Sequence, residues 1–274
     1  MDMLGAFCHL GYWMLHRGLD MIELFLIGIG TGNPDHLTLQ AVKALNSVDL
    51  VLIPNKGAGK ADLAELRRDI CAQVLANPKT RIAEFSLPVR DADDPDYRHR
   101  VDAWHDAIAE VWKGTILAEI GGNGRVALLV WGDPSLYDST LRIAERLGRD
   151  LTIKVTVIPG ITSMQALTAA HAIPLNDIGE PFQVTTGRQL RDNGWPEGVD
   201  TLVIMLDGEC SLQAIDPAGV TIWWGAYVGM AEEIVLSGPL NEVSAQITLV
   251  RAEAREKHGW IMDIYMLRRA VSRL

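Results

Sequence analysis

Cysteine is scarce in this chain. The three, Cys8, Cys71 and Cys210, are odd in number, far apart, and include no Cys-x-x-Cys pair. That pattern excludes a disulfide scaffold and the thiolate clusters of structural zinc sites, and it predicts reduced thiols in a cytoplasmic protein. None of the seven histidines stands at metal-ligand spacing beside a carboxylate or thiol, so a metal-free site is expected. No apolar run approaches the roughly 20 residues of a membrane-spanning helix. Positive charge is short as well: 25 Lys and Arg against 35 Asp and Glu leave a formal net charge of −10. A general nucleic-acid binder needs the opposite sign, although a local basic cleft for an anionic small molecule is compatible with an acidic surface. Met1 to Asp20 lacks the basic start and clean apolar core of a signal peptide. Met21 directly precedes a strand-like run, so residues 1–20 are expected to be an N-terminal extension.

With 274 residues, 48% hydrophobic and 22% charged, the chain is long enough for one large or two ordinary globular domains. The stretch that organises it is VALLVWGDPSLYD, Val126 to Asp138. A short apolar run with β-branched members ends on Gly132-Asp133-Pro134, and a helical pattern begins at about Ser139. This reads as a buried strand opening onto a tight turn at the carboxyl edge of a sheet, where open α/β sheets bind ligands. Taken alone, the same turn is also an ordinary cap on a core strand.

Periodicity predicts strands over Ile22–Ile29, Asp49–Pro54, Thr80–Phe85 and Lys154–Ile158. Helices are predicted from about Asp35, over Ala61–Ala76 (Leu63, Leu66, Ile70 and Val74 inward), over Tyr97–Ile120 and over Ser139–Leu147. Strand and helix alternate, which predicts a largely parallel α/β sheet. After His171 the rhythm changes to strand-like runs at Pro181–Thr186, Thr201–Leu206, Val220–Tyr227, Ile234–Ser237 and Trp260–Leu267, with fewer long helices between them. The expected fold is two α/β domains: a parallel-sheet domain over 21–136 and a mixed-sheet domain over 137–274.

Gly28-x-Gly30-x-x-Asn33 after the first strand invites a dinucleotide reading. Asparagine replaces the third glycine, however, and Pro54-Asn55 stands where a ribose-binding carboxylate belongs. A tight strand-to-helix turn explains the glycines better and leaves room for another ligand.

Four segments occur in order: GIGTGNPDHLTLQA (Gly28 to Ala41), VWGDPSLYDST (Val130 to Thr140), VIPGITSMQALTAA (Val157 to Ala170) and TLVIMLDGE (Thr201 to Glu209). Together they resemble the tetrapyrrole methylase family, and the resemblance covers nearly everything from Met21 onward. It implies two α/β domains with S-adenosylmethionine (SAM) folded into the cleft between them, and a homodimer. The opening GIGTGNP and the segment PFQVTTGRQLRDNGWP (Pro181 to Pro196) resemble the members that methylate C-1 of precorrin-5 during aerobic cobalamin synthesis and release acetate. The resemblance places the cofactor at Thr31, at the Trp131-Gly132-Asp133 loop, at Leu136, at the Thr162-Ser163 pair and at Leu206. Its placement near Tyr227 and Val228 is looser. Siroheme-branch relatives carry a proposed catalytic aspartate where this chain has Pro54, so a base proposed for them does not transfer.

A polycarboxylate macrocycle needs cationic anchors. Arg188 and Arg191, expected in a loop after a second-domain strand, match carboxylates through the guanidinium fork, with Lys56, Lys60 and Arg90 as second choices. For each, a solvated surface cation is the plain alternative. Deacetylation needs water at an acetyl carbonyl and a group to manage a proton. Asp133 and Tyr137 stand beside the cofactor loop and are the catalytic candidates, although Asp133 reads first as a turn residue capping local amides. Other readings stay open: the same fold acting on ribosomal RNA or a protein side chain, a dinucleotide-dependent reductase, and a catalytically silent binding module.

Overall fold

A computed structural model describes residues 20–55, 61–90 and 96–270. The expected extension, apart from Asp20, and the candidates Lys56 and Lys60 lie outside the described residues.

The first lobe is a five-stranded sheet in the order β3-β2-β4-β1-β5, built from β1 (Ile22–Gly28), β2 (Leu50–Asn55), β3 (Arg81–Ser86), β4 (Gly124–Val130) and β5 (Ile153–Ile158). Every pairing in it is parallel. Both faces are covered, so β1 and β4 are apolar almost throughout instead of alternating. Helices α1 (Leu39–Leu45) and α2 (Ala61–Val74) lie on the face of Ile27 and Leu129. On the face of Leu26 and Leu128 lie α3 (Tyr97–Ile120) and α4 (Thr140–Leu147). Thr38 caps α1 by accepting from the Ala41 amide, and Asp96 caps α3 by accepting from Arg98 and His99.

The second lobe is a mixed sheet in the order β6-β7-β10-β8-β9: β6 (Phe182–Thr186), β7 (Thr201–Met205), β8 (Val220–Ala226), β9 (Ile234–Pro239) and β10 (Asp263–Arg269). Strands β6, β7 and β8 run the same way, so their carboxyl ends share one edge. Around it lie α5 (Ser163–Ala170), α6 (Gly187–Asn193) and α7 (Leu240–His258).

The fold is the expected pair of α/β lobes, with two corrections to its internal borders. A boundary at 136/137 would assign β5 to the second domain. Instead β5 pairs with β1 from Ile22↔Ile153 to Ile27↔Ile158 and closes the first sheet, so the first lobe runs to Ile158 and α5 opens the second. Arg188 and Arg191 sit on the short helix α6, not in a loop: Thr186 caps it and Gly194, at φ 72°, ends it. No described helix is long and apolar enough to cross a membrane.

Candidate functional site

Three loops leave the carboxyl edge of the first sheet and meet. Gly30 and Gly132 form an isolated antiparallel bridge, the Gly132 amide donating to the Gly30 carbonyl at 2.7 Å. Gly28, Gly132 and Gly160 pack backbone against backbone. A Cβ on Gly28 would lie 2.6 Å from the Gly160 nitrogen, and one on Gly160 would run into the Gly132 carbonyl. Glycine is required at these close approaches because any side chain would wedge the loops apart. Gly132 differs from its neighbours. At φ 61° it needs glycine for its conformation, yet its Cβ position faces nothing nearer than Thr162 Cα at 3.7 Å.

Asp133 ties this assembly together. One carboxylate oxygen accepts from the Gly160 amide at 2.9 Å, the other from the Ser135 amide at 2.8 Å and the Ser135 hydroxyl at 2.5 Å. Burial pushes the Asp133 carboxyl up, but the bonds from Ser135 and Gly160 outweigh it and hold the group below the ordinary carboxylate range. An aspartate so engaged is a poor proton acceptor, and its geometry is that of a turn residue. Tyr137 sits at φ 49°, half-exposed, with its hydroxyl donating across the cleft to the Val184 carbonyl of β6 at 3.3 Å. Burial raises its pKa, so it remains a neutral hydrogen-bond donor. Tyr137, Leu136, Arg142 and Val184 line an open cavity of about 480 Å³ between the lobes.

The remaining cofactor candidates divide by what their side chains already do. Leu206 follows β7 at φ 52° and is 66% exposed, an apolar side chain held in a strained backbone at the sheet edge. Thr31 is buried with its hydroxyl 3.0 Å from His36 Nδ1, against the loop of Gly229. Thr162 spends its side chain on the capping box of α5 with Gln165, and Ser163 begins that helix. Two expectations need correction. Tyr227 turns its ring into the second lobe's core against Trp260 and donates to the Trp260 carbonyl at 2.5 Å, so only its backbone reaches the edge. Val228 packs beside Ala166 and Leu167 between α5 and the sheet. The Gly132 amide is taken by the Gly30 carbonyl.

Among the anchors, Arg191 is exposed and pairs with Glu209 at 2.6 Å and with Asp192 at 3.2 Å. Arg188 is exposed on the same helix. Arg90 lies over the Trp104 ring, 4.6 Å from its centroid. Sequence reasoning missed Arg67 on α2, a cation buried to 8% exposure. Its signal was present: residues 63, 67, 70 and 74 fall on one helical stripe, and a charge in that apolar register is out of place.

A model of the tetrapyrrole (corrin/porphyrin) methylases matches residues 23–244. The chain belongs to the tetrapyrrole methylase family. It is 49% identical over 251 residues to precorrin-6A synthase (deacetylating) from Sinorhizobium sp, covering 91% of this chain and 96% of the relative. Precorrin-2 C(20)-methyltransferase of the same source is 30% identical, over 64% of this chain and 71% of that one. Among solved structures, a cobalamin synthesis related protein (CobF) from Corynebacterium diphtheriae superposes with a TM-score of 0.77 at 39% identity, covering 91% of this chain and 99% of its own. Uroporphyrin-III C-methyltransferase from Thermus thermophilus, solved with S-adenosyl homocysteine, shares the fold at a TM-score of 0.53 and 19% identity. Family membership removes the dinucleotide reading of the first glycine turn.

The loops fit a folded nucleoside sulfonium on three observations made in this chain. An open Cβ position lies over Gly132, an exposed apolar residue stands at Leu206, and the fixed loop edges need no further support.

Proposed function

We propose that this chain is the SAM-dependent methyltransferase that acts on C-1 of precorrin-5 and releases acetate, giving precorrin-6A. The observation that carries the reading is the 49% identity with precorrin-6A synthase (deacetylating) over nearly the full length of both chains.

When bound, SAM supplies a sulfonium methyl group together with its leaving group. The work left to the chain is therefore positioning, which can contribute on the order of 7–11 kcal/mol. The Gly30–Gly132 bridge and the Asp133–Gly160 bond hold two loops at fixed separation without mobile side chains. Thr31, Trp131, Gly132, Leu136, Thr162, Ser163 and Leu206 are the proposed cofactor contacts. Leu206 offers its apolar face to the base, and the backbone of Tyr227 closes the far side. The macrocycle is proposed to lie in the cavity beneath Tyr137. There the phenol O–H exchanges the Val184 carbonyl for the acetyl carbonyl and hydrogen-bonds it as water adds to that carbonyl carbon, and Asp133 acts as the tie that orients this loop. Arg188 and Arg191 remain proposed outer contacts for carboxylates. We propose a homodimer in a reducing, cytoplasmic compartment, in keeping with the dispersed cysteines and with Val155 and Val157 exposed on edge strand β5.

The deciding experiment incubates the protein with precorrin-5 and methyl-labelled SAM. A product carrying one labelled methyl group and an equivalent of acetate is expected. Calorimetry showing no heat with either SAM or S-adenosylhomocysteine would sink the reading.

A further inference from the structure

Behind the loop of Trp131 lies a second cavity of about 210 Å³, lined by Leu87, Trp104, Trp112, Trp131, Asp138 and Arg67 among others. It exists because the first sheet splits. Strands β2 and β4 pair only from Leu50↔Val126 to Leu52↔Leu128, and beyond that point Pro54 has no amide to offer. The helices that follow these two strands, α2 and α4, leave on opposite faces, and a crevice between such connections is where α/β sheets take ligands. Arg67 fills the split from below. Its Nε donates to the Leu129 carbonyl at 3.1 Å and its Nη1 to the Leu63 carbonyl at 3.1 Å.

That leaves a buried guanidinium with donors to spare. Burial lowers its pKa to about 10, with the Asp138 carboxylate acting the other way. Among the described residues no carboxylate comes within ion-pair distance of it; Asp138 is held by the Thr140 amide at 2.6 Å and by the Thr140 hydroxyl. The guanidinium carbon lies 4.9 Å from the centroid of Trp131. The indole N–H groups of Trp131 and Trp112, two more residues of this lining, are buried without an acceptor. The walls are apolar apart from Asp138, Ser139 and Thr140, so the cation keeps donors to spare, and unpaired buried charge is costly to keep. Asp138 and Ser139 line both this cavity and the larger one under Tyr137, so the two are neighbours that share a wall.

We infer that this inner cavity receives one carboxylate-bearing side chain of the tetrapyrrole, with Arg67 as its anchor and the tryptophans flanking its methylenes. The inference rests on the proposed function for the identity of the substrate. It does not depend on that function for the presence of a carboxylate site. Acetate, the proposed co-product, carries the same group, so the test separates the two.

The test compares native protein with Arg67→Lys and Arg67→Met. S-adenosylhomocysteine calorimetry reports the intact cofactor cleft, and quenching of tryptophan fluorescence reports affinity for uroporphyrin III and for its octamethyl ester. Both variants are expected to bind S-adenosylhomocysteine as the native protein does. In Arg67→Met the uroporphyrin affinity should fall roughly 10- to 100-fold, the loss of a charge-assisted pair, and the preference for acid over ester should narrow by the same factor. Arg67→Lys, which keeps the charge but not the guanidinium fork, should lose roughly tenfold. In turnover of precorrin-5, KM should rise by a similar factor while kcat changes less. Native affinity in both variants overturns the inference. So does acetate inhibition that disappears in Arg67→Lys while uroporphyrin affinity stays native, which would give the cavity to the released acid. If Arg67→Met fails to fold, Arg67→Lys, which keeps a donor for the Leu129 carbonyl, decides alone. Failure of the native protein to methylate precorrin-5 would count against the proposed function and leave the uroporphyrin comparison standing.

Discussion

At the carboxyl edge of the first sheet, Gly28, Gly132 and Gly160 let backbone rest on backbone. At the same edge of the second sheet, a buried polar network carries the turn of Leu206 instead. There the Asp207 carboxylate accepts from the Ser211 amide at 2.6 Å, the Ser211 hydroxyl at 2.9 Å and the Tyr265 hydroxyl at 2.7 Å. Arg251 donates to the Asp207 carbonyl at 2.6 Å and to Asp263 at 2.8 Å, and the Trp224 indole also donates to Asp263. The first arrangement rests on bare backbone contact tied by one carboxylate, Asp133, the second on complete satisfaction of several side chains. The first edge admits few polar side chains, Asp133 and Arg67 among them, whereas the mixed sheet meets α7 there and encloses an ion pair.

The largest effect expected from breaking this contrast is at the ion pair. Arg251→Met should cost about 3–5 kcal/mol, because it strands the Asp263 carboxylate at 6% exposure. The double change Arg251→Met with Asp263→Leu should recover much of that loss, since no charge is then left unpaired. Urea denaturation of the single and double variants checks both figures; equal destabilisation in the two would mean the network is not organised around the pair.

In the first lobe the matching test is steric. Gly160→Ala puts a methyl group into the Gly132 carbonyl and against Gly28, a backbone clash that no rotamer relieves. About 3 kcal/mol is expected, together with loss of S-adenosylhomocysteine binding, which thermal shift and calorimetry would report. Gly132→Ala separates the two roles: with space at its Cβ and strain only in its φ, it should fold better than Gly160→Ala while still obstructing the ligand.

The same contrast explains what was legible in the sequence. In the first lobe, α3 was predicted as Tyr97–Ile120 and β2 within a residue of its ends, because sheets buried on both faces write long apolar runs between glycine stops. Membership of β5 was not legible: its pairing with β1 is non-local, and as an edge strand it carries the exposed Val155 and Val157. In the second lobe α7 escaped, since its buried positions are Leu240, Ile247, Arg251 and Ala254. One of the four is a charge, and its partner Asp263 comes from another strand. Helix α6 opens on Gly187, where a Cβ would collide with Asp207, so it reads as loop. At the site, the motifs marked the turns correctly as chain segments. They could not say that Tyr227 faces inward, or that Asp133 would be engaged by three donors.

A smaller effect should appear as a pH dependence. The folded-state pKa of Asp133 lies below its unfolded value, so its contribution is complete above the ordinary carboxylate range and is lost as pH falls through the folded pKa. Asp133→Asn should cost about 1 kcal/mol at neutral pH through weakened acceptor bonds and should flatten the acid limb of the stability curve. A limb as steep as the native one, measured by melting temperature against pH, would show that the tie contributes nothing.

The smallest shift in stability is expected at Leu206, and it has the opposite sign. A non-glycine residue at φ 52° bears about 1–2 kcal/mol of left-handed strain. Leu206→Gly removes that strain but loosens the unfolded chain by about 0.5–1 kcal/mol, so the variant should be more stable by about 0.5 kcal/mol. Retaining strained leucine at 66% exposure has no benefit for folding alone. It makes sense where the side chain is covered by a ligand, and covering it should return about 1–2 kcal/mol of apolar burial. Leu206→Gly should therefore bind S-adenosylhomocysteine roughly tenfold more weakly while melting slightly higher. Loss of both stability and affinity would instead assign Leu206 to the packing of the second lobe, and the strain at its turn would belong to the Asp207 network beneath it.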